Sequence, residues 1–86
     1  MSFALDEFFA AVEDEFSVAI GDEDRDYLPT PGAVVEFVAE QTIPQDGMDE
    51  DEHREHISAV IGELMARTLG VTRYRDDSRF EDLHLR

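Results

Sequence analysis

Few residues in this 86-residue chain are spaced for chemistry, and each group implies a different kind. Asp22, Asp24 and Asp26 fall at alternating positions, as the oxygen ligands of a calcium loop do. Such a loop needs Gly at its sixth position and a bidentate Glu at its twelfth. Tyr27 and Ala33 stand there instead, so an acid-capped helical turn is expected. His53 and His56 lie three apart beside Glu52 and Glu55, close enough for one metal on a helix. A catalytic zinc site wants a third ligand. The expectation is a solvated first turn with no metal. Ser2 stands where an N-cap hydroxyl would open a helix. Ser78 follows an Asp but opens no helix. There is no glycine-rich phosphate loop, no nucleophile elbow and no cysteine. A self-contained enzyme is not expected.

Helices must position these groups. Leu5, Phe8, Phe9, Val12 and Phe16 mark one face of a helix over 3–17. Asp6 and Glu7 sit in its first turn, where the helix dipole favours acids. Gly21 can end that segment, and Asp22 can cap a short turn pinned by Tyr27 and Leu28. Thr30 followed by Pro31 is a strong start signal for a helix over 31–41, with a stripe of Val34, Phe37, Val38 and Gln41. A polar connector with Pro44 and Gly47 leads to a long helix over 49–69. Its face is Ile57, Val60, Ile61, Leu64, Met65 and Thr68, and Gly70 is its C′ residue. Residues 71–86 read as a loop anchored by Val71, Tyr74, Phe80, Leu83 and Leu85. The fold class is all-α: a small four-helix bundle of three main helices and one short one, in a single domain over 1–86. Phe8, Phe9, Val12, Phe37, Ile61, Leu64 and Phe80 are expected in its core.

Charge narrows the partners. Twenty-two acids face seven bases, every base is Arg, and the net charge is −15. Residues 1–47 carry twelve acids against one Arg, while residues 48–86 carry ten against six. Such a field repels nucleic acid and anionic lipid and attracts basic protein surfaces. No apolar run approaches a membrane span, and no basic-then-apolar signal opens the chain. A soluble, cytoplasmic monomer is expected.

The order of these pieces carries a resemblance. Ser2 and Phe3, "VEDEF" (12–16), "DEDRDYLPT" (22–30) and "VVEFV" (34–38) resemble the second half of acyl carrier proteins, from the modified serine through helices II, III and IV. The spacing from Ser2 to Phe16 matches that from the family's serine to its helix II phenylalanine. "HISAVIGELMARTLGV" (56–71) resembles helix I, and "DDSRFEDLHLR" (76–86) resembles the loop that approaches the serine. Counting His84, Leu85 and Arg86 and then Ser2 reproduces the family's spacing from the loop leucine to the serine. The chain thus looks like a circularly permuted acyl carrier protein, with helices II, III and IV before helix I and residues 42–51 as the new link. Phe3 replaces the family's leucine after the serine, and His84 the glycine after Leu83.

The resemblance implies 4′-phosphopantetheine on Ser2, carrying an acyl or aminoacyl group as a thioester in fatty acid, polyketide or nonribosomal peptide biosynthesis. It implies partner recognition by Glu7, Glu13, Asp14 and Glu15 on the acidic second helix. The partners would be a phosphopantetheinyl transferase and the basic surfaces of acyl-processing or ligase enzymes. Two alternatives stay open: a carrier fold used as an unmodified acidic protein-binding module, and an unrelated acidic helical bundle.

Overall fold

A computed structural model of the chain describes residues 3–83. Helix α1 (Phe3–Phe16) buries Ala4, Phe8, Phe9 and Val12, a four-residue spacing with one flanking ring. Burying each large side chain contributes about 1.5–3 kcal/mol relative to leaving it in water. Its end is set by Ser17, which takes a left-handed φ of 54°. The Val18 N–H then turns back to the Glu13 carbonyl at 3.2 Å, the closing bond of a Schellman cap.

Helix α2 (Asp22–Arg25) is one acidic turn. Gly21, not Asp22, is its N-cap, and the Asp24 carboxylate accepts the Gly21 N–H at 3.0 Å. Leu28 pins the turn to the core, whereas Tyr27 is 81% exposed and does not. Helix α3 (Pro31–Gln41) begins as expected: Pro31 fills the first position and Thr30 accepts the Ala33 N–H at 3.1 Å. Its inward face is rotated from the expected stripe. Pro31, Val34, Val35 and Val38 are buried, Phe37 is half-buried and Gln41 exposed.

Helix α4 (Glu50–Leu64) opens on Asp49, whose side chain accepts the Glu52 N–H at 2.8 Å. Glu50, Asp51 and Glu52 occupy the first turn, where the dipole offsets part of their mutual repulsion. The long helix is not α-helical to its end, because residues Met65–Leu69 widen into a π turn. Thr68 donates to the Leu64 carbonyl at 2.7 Å, a side-chain back-bond that competes with the regular ladder and loosens a helix. Gly70, at φ 71°, caps the turn where sequence places the C′ residue.

Helices α3 and α4 lie along each other, and α1 packs across the π turn. The core runs from Ile57, Ile61, Leu64, Met65 and Leu69 to the α1 phenylalanines. All the expected core residues enter it except Phe37, which packs against its edge. The stretch after Gly70 is tied back by two backbone bonds at 2.9 Å, Gly32 N–H to the Asp76 carbonyl and Phe80 N–H to the Pro29 carbonyl. A methyl at Gly32 would stand 2.7 Å from that Asp76 oxygen, so the close approach needs glycine. A 3₁₀ turn (Phe80–Asp82), which the sequence pattern does not signal, sets Phe80 against α1. Among the described residues no helix is long and apolar enough to cross a membrane.

Candidate functional site

The two ends of α1 are built differently, and both form recesses. At the N-terminal end a cavity of about 330 Å³ opens between α1, α2 and the 3₁₀ turn. Leu5, Phe9, Leu28 and Phe80 give it apolar walls, and Arg25 and Arg79 stand among them. The rings of Phe8, Phe9 and Phe80 make a tilted cluster with centroids 5.4–6.1 Å apart, close to the edge-to-face geometry that aromatic quadrupoles favour. Arg25 reaches back from α2 to α1. Its Nη1 donates to Asp6 Oδ1 at 2.7 Å, and its guanidinium carbon lies 4.9 Å above the Phe9 ring. This pair fixes α2 over the cavity. Its Nε is buried with no partner, so the guanidinium is only partly satisfied. Arg79 pairs with Glu81 at 3.2 Å in the open, a contact worth little by itself.

The acids of α1 divide in their surroundings. At about 100° per residue, Glu7 and Asp14 fall within about 20° of each other around the helix, and both are exposed. Glu15 is exposed on an adjoining face. Glu13, about 100° from Asp14 on the side opposite Glu15, is engaged: its Oε2 accepts the Ile20 N–H at 3.1 Å, holding the bend before α2. Ser2, the residue before α1, lies outside the described residues, as do His84, Leu85 and Arg86.

At the C-terminal end of α1 the connector meets α4. Here the structure corrects the reading of His53, which is not solvated but buried to 8% exposure. Its Nε2 lies 2.8 Å from Thr42 Oγ1, and that same hydroxyl donates to the Val38 carbonyl at 2.8 Å. A threonine hydroxyl has one proton. With that proton committed to Val38, the oxygen accepts from His53, which fixes the imidazole with its proton on Nε2. The ring thus clamps the end of α3 to the start of α4. His56 is exposed as expected. No cluster that could hold a metal occurs among the described residues. Ser78 serves a turn, accepting the Arg75 N–H at 2.9 Å.

Sequence reasoning passed over Arg25, Arg79 and the burial of His53. The first had a signal, being the only base in the first 47 residues. A lone cation among twelve acids is held wherever its best carboxylate and ring lie. His53 had a weaker one: it precedes Ile57 by four residues and so shares the inward face of α4.

The chain matches no protein-family model, no curated protein and no solved structure.

Proposed function

We propose that this chain is a carrier-type protein that bears 4′-phosphopantetheine on Ser2 and holds an acyl or aminoacyl group for partner enzymes, in a permuted order of the acyl-carrier helices. The observation that carries this reading is the apolar cavity beside the first turns of α1, immediately after Ser2 in the chain. The residues fit such a group in two respects. A phosphodiester is favoured at the N-terminus of a 14-residue helix, where N–H groups and the dipole present positive charge. Leu5, Phe9, Leu28 and Phe80 offer a surface that removes an aliphatic chain from water. When bound, the group supplies a thiol on a flexible arm. The chain's own residues shelter the cargo and contribute no catalytic group. Exposed Glu7, Asp14 and Glu15 present negative charge to the basic surfaces of the transferase and of acyl-processing or ligase enzymes. Glu13 retains a backbone role in this scheme.

A second reading, an unmodified acidic binding module on the same fold, draws on the net charge of −15. Intact mass spectrometry after incubation with coenzyme A, magnesium and a broad-specificity phosphopantetheinyl transferase separates the two. A gain of one phosphopantetheine that disappears in Ser2→Ala is the expected result. An unchanged mass with several transferases transfers the function to the binding module.

A further inference from the structure

The recess at the C-terminal end of α1 has features that neither Ser2 nor the cavity beside it explains. It is a groove of about 320 Å³ with Phe16, Ile43, Met48 and Val60 in its walls and Glu15 and His56 at its edge. Ile43 is 88% exposed, the most exposed of the large apolar side chains among the described residues. It is also held. Thr42 before it is fixed by His53 and by the Val38 carbonyl. Pro44 after it confines Ile43 to extended backbone. The Met48 N–H bonds the Gln45 carbonyl at 2.9 Å, closing a turn that sets the opposite wall. An apolar side chain presented on a braced backbone loses little freedom when something covers it, which is the condition for a contact residue rather than a loose loop tip.

Charge says what covers it. Asp46, Asp49, Glu50, Asp51 and Glu52 crowd the connector and the first turn of α4 beside Met48. Among the described residues no Lys or Arg lines the groove. A second copy of this chain would bring −15 against −15 and is repelled. We infer that the groove docks a basic amphipathic helix of a partner protein, whose apolar side chains cover Ile43, Met48, Phe16 and Val60 while its Lys or Arg residues meet the acids around them. This surface lies about 20 Å from the start of α1, the rise of a 14-residue helix. It leaves the Ser2 end free and does not depend on whether Ser2 is modified.

The probe is a synthetic 14-residue amphipathic helix of leucine and lysine, titrated into the ¹⁵N-labelled Ser2→Ala chain, so that a failure of the carrier reading cannot affect the result. Saturable amide shifts at residues 15–16, 42–48 and 56–60 are expected. Ile43→Asp and Met48→Ser should each weaken binding at least tenfold with the denaturation midpoint unchanged, and serine in place of the peptide's leucines should abolish the saturable shifts. Three outcomes overturn the assignment: shifts centred on Leu5, Phe9 and Leu28, shifts spread over all the acids without saturation, or an affinity that Ile43→Asp leaves unchanged. Self-association of the chain blocked by Ile43→Asp would also overturn it, by naming a second copy as the occupant.

Discussion

The two ends of α1 differ in what is kept from water. At the N-terminal end three phenylalanine rings close on one another and a guanidinium is spent on an internal ion pair with Asp6. At the C-terminal end a histidine is buried to hold the connector, and an isoleucine is left outside. One end lines an open recess with apolar side chains and two guanidinium groups, which suits a small ligand. The other displays apolar surface within a field of acids, which suits a basic protein.

The contrast breaks most visibly by truncation. Phe80→Ala should cost about 3–5 kcal/mol, because the ring leaves both a void and unpaired aromatic edges. Ile43→Ser should stay within about 0.5 kcal/mol of the parent, as exposed positions do. Urea midpoints of the two variants measure this directly, and equal losses would mean the two ends are packed alike.

A smaller effect tests the clamp. Thr42→Val removes the oxygen that His53 donates to and leaves a buried N–H unmet, for a loss of about 1–3 kcal/mol. Thr42→Ser keeps the hydroxyl and should retain most of the stability. If both variants unfold at the same denaturant concentration, the hydroxyl is not what holds the connector.

The smallest effect lies between the ends. Tyr74 packs over Gly62, where a methyl would stand 3.1 Å from its hydroxyl. Burial first, and then the nearby Asp76 carboxylate, raise its phenol above the usual 10.0. A raised value means that the folded state holds the proton more tightly. The contribution is complete below the usual value and is lost as pH rises through the raised one. Tyr74→Phe should therefore show a shallower fall in stability above about pH 10 than the parent does. Parallel curves would show that Tyr74 adds nothing to the alkaline loss.

What the sequence made legible follows from how local each signal is. The helix start at Thr30–Pro31 and the stop at Gly70 rest on contacts within three or four residues, and they stand where the pattern put them, whereas Asp49, which the pattern placed within the long helix, is its N-cap. The core face of α1 was equally plain from its phenylalanines. The inward rotation of α3 was not, because Val35 and Phe37 flank the Val34–Val38 line on opposite sides, about 200° apart, and only tertiary packing decides which of them turns inward. The π turn coincides with a side-chain bond from Thr68 that a 3.6-residue period cannot register. The burial of His53 depends on Thr42, across a connector whose path periodicity does not describe. The cavity beside α1 required Phe80 to return from the far end of the sequence. The candidate attachment serine was read from motif order alone.

Attaching an octanoyl-phosphopantetheine arm to Ser2 and comparing ¹⁵N–¹H spectra with the unmodified chain tests the central claim most directly. Attachment is expected, with amide shifts concentrated at Leu5, Phe9, Leu28 and Phe80 and none at Ile43 or Met48. Refusal of the arm, or an attached chain whose shifts leave the Phe9–Phe80 cavity untouched, would contradict it.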